Sequence, residues 1–222
     1  MSFSGEINSI AQFFSRGGVF MLPIIFASIL SLAVILERAF ALRRSLVINP
    51  RLADAIETLR HGQSTVEIEG LLIEGGDRTV LDRLVRLALF NLPWSKVDNA
   101  EALQTRARSE LVRLERGLVI LEVCVGIGPL LGLLGTVSGL IVIFGNVGDQ
   151  QIASQGVAIA RGISEALNTT VAGLLVAIPA LVAFSIYSRR VENYAVELEG
   201  YAADLLAKVY TQSAEAEPAS AS

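Results

Sequence analysis

The chain of 222 residues has few of the residue types that build disulfide scaffolds and metal centres. It contains one cysteine, one histidine and one tryptophan. Cys124 has no partner for an internal disulfide, and His61, alone in a polar turn beside a glycine, supplies too few ligands for zinc. We therefore expect no metal site and no cofactor. The sequence contains neither a nucleophile paired with a base nor a phosphate-binding loop, so no motif predicts an enzyme. The net charge of −4 does not indicate a nucleic-acid partner.

Charge is absent from three long stretches, and this absence predicts three membrane-spanning helices. The uncharged runs are 18, 26 and 23 residues long, Val19–Leu36, Val123–Gly148 and Ala166–Ser188. A helix needs about 20 apolar residues to cross a bilayer. The first run continues directly into Glu37 and Arg38 without a small-residue cleavage site, so we interpret it as a retained helix and not as a signal peptide.

The basic residues are unevenly distributed around these spans. The segment 37–122 holds 13 of the 18 Lys and Arg residues, and Arg189 and Arg190 follow the third span. The N-terminal segment has only Arg16, and the loop before the third span has only Arg161. Because basic loops stay in the cytoplasm, the segment 37–122 and the C-terminus are predicted to be cytoplasmic, with the N-terminus on the other side.

The pattern outside the spans is also helical. Breaks are expected at Asn49-Pro50, His61-Gly62, Gly75-Gly76 and Leu92-Pro93. From Asp98 onward, apolar residues recur at helical spacing and run into the second span, which predicts one helix over 99–144, about 68 Å long at 1.5 Å per residue. The third span continues past Arg190 in the same way. The predicted fold class is an all-α integral membrane protein with three transmembrane helices and long helical cytoplasmic extensions.

Eight segments follow from this interpretation. In chain order they are an N-terminal periplasmic or interfacial segment 1–18, a transmembrane helix 19–36, a cytoplasmic helical domain 37–122, a transmembrane helix 123–146, a short periplasmic loop with the entry to the third span 147–164, a transmembrane helix 165–188, a cytoplasmic helix 189–211 and a disordered tail 212–222.

Glycines recur on one face of the second span. At 100° per residue, the four positions fall within about 60° of one another and form a smooth stripe suited to close helix packing; they are Gly128, Gly132, Gly135 and Gly139. The third span has a similar small-residue face, predicted as the pore or inter-subunit surface, at Ala166, Thr170, Gly173, Ala177 and Ala180. Three spans are too few to enclose a lumen, so these two faces are expected to meet across subunits and close a ring.

Polar side chains at membrane depth are candidates for function because they are expensive to bury there. The hydroxyls of Thr136 and Thr170 are suited to hydrogen-bond a file of water or a carboxylic acid in a pore. The competing interpretation is packing, with each hydroxyl bonded to a carbonyl one turn back. The start of the third span adds Glu165, Asn168 and Thr169. Glu165 is the one candidate carboxylate within the membrane, and pairing with Arg161 or with an adjacent subunit is its alternative role.

Two ordered motifs carry a resemblance to a known family. They are GPLLGLLGTVSG at 128–139 and GISEALNTTVAGLLVAIP at 162–179. With the pair Glu37-Arg38 they resemble the signature of the MotA/TolQ/ExbB family of proton-channel subunits, closer to the ExbB and TolQ branch. The resemblance implies a ring, pentameric in the family, in the bacterial inner membrane around two ExbD-like or TolR-like single-span partners.

The resemblance also implies a division of labour in that complex. The titrating aspartate belongs to the partner's helix, while the positions matching Thr136 and Thr170 line the ring interior. Ion flow then drives motion that a TonB-like or TolA-like transducer carries into the periplasm. Asn168 and Thr169 depart from the family pattern, and their oxygens leave Na⁺ open beside H⁺ as the transported ion.

Two other classes of function remain open on the sequence. One is a membrane scaffold whose glycine-packed helices transport nothing. The other is a secondary transporter with Glu165 and the threonines at its substrate site, although three spans without an inverted repeat argue against it.

Overall fold

The computed structural model of the chain describes residues 19–60, 64–145 and 152–215. Side chains are described within these ranges except at 152–155, 157, 158, 161, 165 and 211–215. The described residues form helices and turns, without a strand. In chain order the helices are α1 Met21–Ala41, α2 Arg44–Val47, α3 Pro50–Thr58, α4 Val66–Gly75, α5 Val80–Phe90, α6 Lys96–Glu115, α7 Leu118–Gly145 and α8 Ile152–Glu215.

Three of these helices are long and apolar enough to cross a membrane. They are α1, α7 and the apolar part of α8. The prediction of three spanning helices is therefore confirmed in helix length and composition. The helix boundaries at Pro50, Gly75 and Phe90 coincide with predicted breaks, whereas the break predicted at His61-Gly62 lies outside the described residues.

The predicted continuous helix over 99–144 is interrupted. The helix α6 ends at Glu115, Arg116 takes a ψ of 47°, which is not helical, and α7 begins at Leu118. Gly117 stands at the interruption, and glycine is about 1 kcal/mol less favourable than alanine in a helix. The apolar periodicity extends across this position and did not reveal the break.

The third long helix extends beyond its predicted bounds at both ends. It begins at Ile152, within the segment predicted as a loop up to residue 164, and it continues through the predicted boundary at 211 to Glu215. The first residues of the expected disordered tail are thus helical, and 216–222 lie outside the described residues. No proline occurs in α8 before Pro179, and the next proline is Pro218, so no proline stops the helix at either predicted boundary, residue 165 or residue 211.

The chain divides into two compact units. The span unit combines the chain up to Glu37 with Gly117–Ile186, and the charged unit combines Arg38–Arg116 with the chain from Tyr187. In the span unit, α1 packs on α8 through a buried cluster of Met21, Ile24, Ala172 and Val176, with Leu131 of α7 against it.

The charged unit has its own apolar core and a network of polar side chains. The core includes Leu52, Ile56, Leu84, Leu198 and Leu205. Thr79 and Asp82 cap the start of α5 reciprocally, which satisfies amide groups that a helix N-terminus leaves free. Near the end of α8, the Tyr210 hydroxyl accepts a hydrogen bond from Asn99 Nδ2 at 3.0 Å and lies 3.1 Å from the Trp94 carbonyl oxygen.

A buried carboxylate holds α5 to α6 in the charged unit. The side chain of Glu110 is 1% exposed and lies 2.8 Å from Arg83, 2.8 Å from Arg106 and 3.5 Å from Arg113. Burial raises the pKa of Glu110, but the hydrogen bond from Arg83 and the three positive charges outweigh it, so the pKa is lower than the ordinary 4.5. The ionised form is therefore the one that stabilises the fold.

Replacing Glu110 with Gln removes this charge and leaves Arg83 without its carboxylate. We expect Glu110→Gln to lower the free energy of unfolding by on the order of 2 kcal/mol, because the arginines are partly exposed and screened. The contribution of a lowered pKa is complete at neutral pH and is lost as the pH falls below 4.5. Fluorescence of Trp94, the only tryptophan, measures unfolding in the same unit.

The matched control is Glu101→Gln, an exposed glutamate on the same helix, for which no loss is expected. A wild-type advantage over Glu110→Gln that persists undiminished at about pH 3 would contradict the role of the ionised carboxylate.

Candidate functional site

The glycine stripe of α7 lies directly against the small-residue face of α8. Gly128 approaches Gly173 and Ala177, and Gly139 approaches Ala166. Between these ends, Gly132 and Gly135 lie against Thr170 and Thr169. The two helices therefore contact each other along the whole stripe and within one chain.

The space between these backbones is too small for any side chain. A Cβ added at Gly132 would lie 2.9 Å from the Cα of Thr170, and one added at Gly135 would lie 2.7 Å from the Cβ of Thr169. Both distances are shorter than real Cβ contacts. Such close approach provides the van der Waals contact that associates helices where lipid removes the hydrophobic driving force.

This geometry corrects two predictions about assembly. The faces of the second and third spans were expected to meet across subunits, but they meet within the chain. The predicted pore or inter-subunit face of α8 is mostly covered, because Ala166, Gly173, Ala177 and Ala180 are buried. Of that face, Thr170 alone remains half-buried.

The threonine hydroxyls are bonded to backbone carbonyls. Thr170 Oγ1 donates to the Gly132 oxygen on the facing helix at 3.2 Å. Thr136 Oγ1 donates to the Leu133 oxygen in its own helix at 2.6 Å. Thr169, 2% exposed, donates to the Ala166 oxygen at 2.7 Å. The structure thus brings Thr169 and Thr170 together with the glycine stripe.

The other candidate polar residues also belong to α8. Asn168 is half-buried on α8. Glu165 and Arg161 belong to the same helix, but their side chains lie outside the described residues. The predicted pairing of Glu165 with Arg161 or with an adjacent subunit therefore remains a prediction.

The intramolecular contact has a signal in the sequence, the spacing of small residues on both helices. The glycines of α7 are separated by four, three and four residues. The small residues that they meet on α8 have the same spacing, at Ala166, Thr170, Gly173 and Ala177. Two stripes of identical spacing on consecutive antiparallel helices fit each other in register.

Other contacts of the span unit were not foreseen from the sequence. The thiol of Cys124 on α7 lies 3.8 Å from the Ala27 carbonyl oxygen of α1. Ser31, buried on α1, donates to the Ser28 oxygen at 3.0 Å. Single small residues of this kind have no periodicity by which a sequence would indicate their partners.

The fold and this site define a class: an all-helical membrane protein whose second and third spans pack through glycine. Comparison with known proteins identifies the family. The model of the MotA/TolQ/ExbB proton channel family matches residues 78–200, more than half of the chain. The chain belongs to this family, and the resemblance stated from its motifs is confirmed.

Several similar proteins carry ExbB names. The chain is 34% identical to the biopolymer transport protein ExbB-like 1 of Synechocystis over 193 residues, 82% of this chain and 73% of that protein. It is 28% identical to the biopolymer transport protein exbB1 of Vibrio cholerae over 87% of this chain and 85% of that protein. Identity to the biopolymer transport protein ExbB of Salmonella typhimurium is 38%, over 41% of this chain and 37% of that protein.

The close approach of the helices predicts that two glycines of α7, Gly135 and Gly126, differ in how much an added methyl group destabilises the protein. Gly135→Ala places a methyl group against Thr169, so we expect a loss of about 1–3 kcal/mol in stability, as for other overpacked sites. Gly126 has no atom within 4 Å of an added Cβ, so Gly126→Ala is the matched control and should be neutral or slightly stabilising. Circular dichroism melting in detergent and amide exchange of α7 measure both. Equal melting of the two variants would contradict the packing described.

Proposed function

We propose that this chain is the ring-forming subunit of an ion-driven motor in the bacterial inner membrane, which energises transport of biopolymers across the envelope. The observation that carries the proposal is the family match, which includes both the second and the third span. Relatives covering most of the chain are named biopolymer transport proteins, and the proposal extends that role to this chain. The role is not enzymatic.

The chain needs a partner to conduct ions. The runs Val123–Gly148 and Ala166–Ser188 contain no Asp, Glu, Lys, Arg or His. Apart from Glu165 at the edge of the third span, they offer no strongly acidic or basic group to bind and release a proton. We propose that an ExbD-like or TolR-like single-span protein, in two copies, supplies a membrane aspartate inside the ring. A TonB-like or TolA-like protein then transmits the motion to the periplasm.

Neighbouring chains are proposed to contact each other through faces other than the glycine stripe. The stripe is covered by α8 of the same chain, whereas the outward sides of both helices expose large apolar residues. On α7 and α8 these include Leu130, Leu133, Val137, Ile141, Leu167, Val171, Leu175 and Ile178. Five chains packed in this way would surround a lumen that three helices alone cannot enclose.

Thr136 and Thr170 are proposed to line that lumen. Both are half-buried in the single chain, and a hydroxyl oxygen that donates one hydrogen bond still accepts others. Water or a partner's carboxylic acid would use this remaining capacity. The N-terminus is proposed to be periplasmic and the C-terminus cytoplasmic, as the distribution of arginines indicates.

One observation favours a second candidate function, a scaffold without transport. All three threonine hydroxyls near the glycine stripe already donate to backbone carbonyls, as packing residues in membrane helices do. The two functions differ in whether removal of these hydroxyls changes ion flow or only stability.

Ion flux into liposomes distinguishes the ion-driven motor from the scaffold. We expect little proton flux through the ring alone and clear flux with the single-span partner present, because only the partner carries the titrating carboxylate. Thr136→Val and Thr170→Val keep the side-chain volume and remove the hydroxyl, so each should lower that flux by about 10-fold, the cost of about one hydrogen bond. The same assay under a sodium gradient identifies the ion.

Thr169→Val is the matched control, since it removes an equivalent hydroxyl from a site that the facing helix covers. Its flux should equal that of the wild type. Undiminished flux in the Thr136 and Thr170 double variant, or an equal reduction in all three variants, would favour the scaffold.

Assembly is tested separately. We expect native mass spectrometry in mild detergent to show a closed oligomer, most simply of five chains. Its assembly should survive Thr170→Val, because the hydroxyl contributes only about 1 kcal/mol to the contact. A stable monomer that remains folded and shows no concentration dependence would refute the ring.

A further inference from the structure

Arginines collect in the charged unit where two helices leave their apolar runs. The helix α1 ends at Ala41 and is followed by Arg43 and Arg44. On α8, Arg189 and Arg190 follow the uncharged run that ends at Ser188. Both sets of guanidinium groups therefore belong to the level of the membrane surface, where lipid phosphates lie.

Tyr194 holds these two segments against each other. Its buried hydroxyl donates a hydrogen bond of 2.9 Å to the Leu42 carbonyl. Arg44 forms an ion pair of 3.1 Å with Glu197. Arg44 and Arg190 both lie within electrostatic reach of the Tyr194 hydroxyl. Arg43 directly precedes Arg44 in the chain. We call Arg43, Arg44 and Arg190 the arginine patch.

Positive charge in the arginine patch exceeds negative charge. Glu197 compensates Arg44. Across the residues that the structure describes, Arg43 and Arg190 have no carboxylate within ion-pair distance, and both side chains are exposed. Two of the three guanidinium groups therefore have no carboxylate partner among the described residues and are available to bind an anion.

Apolar surface adjoins this charge. The guanidinium carbon of Arg43 lies 4.6 Å from the centre of the Phe40 ring. Phe40 and Leu46 each expose more than half of their surface, 57% and 53%. An amphiphilic ligand would cover both kinds of surface, whereas a free inorganic anion would leave Phe40 and Leu46 in contact with water.

We propose that the arginine patch binds the phosphate of an anionic phospholipid, with Arg43 and Arg190 as the donors and Phe40 beside the acyl chains. Guanidinium groups bind phosphate through paired N–H donors, and anionic lipid attracts basic side chains at the bilayer surface. The inference requires only that α1 and α8 cross a bilayer, so it stands independently of the proposed motor.

Native mass spectrometry of the purified protein in detergent tests the proposal. The protein is titrated with phosphatidylglycerol and, separately, with phosphatidylcholine of the same acyl chains. We expect tighter binding of phosphatidylglycerol. The double variant Arg43→Gln/Arg190→Gln should weaken it by about 25-fold, about fivefold for each arginine, while phosphatidylcholine binding stays unchanged.

The matched control removes the same charge elsewhere. Arg78 is exposed before α5, and Arg108 is exposed on α6. The variant Arg78→Gln/Arg108→Gln should change phosphatidylglycerol binding by less than about twofold, since neither residue directly follows an apolar run. An equal loss in the two double variants would show diffuse attraction to net charge and would overturn the proposal.

Two further measurements complete the test. Melting curves from Trp94 fluorescence establish that the variants are folded; if the double variant is not, Arg43→Gln and Arg190→Gln alone should each lose about fivefold. Inorganic phosphate is the free-anion probe, and at equal concentration it should not displace the lipid. Displacement would assign the patch to a free anion and overturn the lipid as its ligand.

Discussion

The approach of two backbones at the glycine stripe is the contact on which the span unit depends. Lipid supplies no hydrophobic force between helices, so α7 and α8 associate through close van der Waals contact, which only glycine permits at Gly132 and Gly135. The paired helices then offer a common surface to α1, whose Met21 and Ile24 pack on Ala172 and Val176 of α8. A side chain at the stripe would therefore disturb all three helices.

The same contact divides the polar residues of the third span between two roles. Thr169 is enclosed against Gly135, and its hydroxyl donates to the Ala166 carbonyl of its own helix at 2.7 Å, with the Gly132 carbonyl of the facing helix 3.4 Å away. Thr170, the next residue, also reaches the facing helix through the Gly132 carbonyl but remains half-buried. Consecutive residues of a helix are rotated by 100°, so the hydroxyl of Thr169 is enclosed by the facing helix while that of Thr170 is still able to accept a hydrogen bond from water.

The charged unit is stabilised by a different kind of interaction. Its core is apolar, but ionised and polar side chains join elements distant in sequence, as Glu110 joins Arg83 and Tyr210 joins Asn99. These ion pairs and hydrogen bonds favour one arrangement of the helices, because a buried charge without its partner is costly. In the arginine patch, Arg43 and Arg190 are exposed and have no carboxylate within ion-pair distance among the described residues, and the Phe40 ring lies against Arg43. This combination of charge and apolar surface is why we assign them a ligand outside the protein.

The sequence by itself determined the three apolar helices, the family and the identity of the glycine stripe, because each is a local pattern of charge, periodicity or spacing. It also placed Thr136 and Thr170 among the candidate residues. The identical spacing of the two small-residue stripes is compatible with a contact between them, but the tertiary structure decided that the stripe meets α8 of the same chain and that Ala166 and Ala177 are thereby covered. It also decided that Glu110 gathers three arginines. The break at Arg116 and the start of α8 at Ile152 also differ from the sequence-based expectation. Periodicity reports which face of a helix is small or apolar, but the partner of that face depends on how distant segments pack, and the packing of distant segments has no local signature.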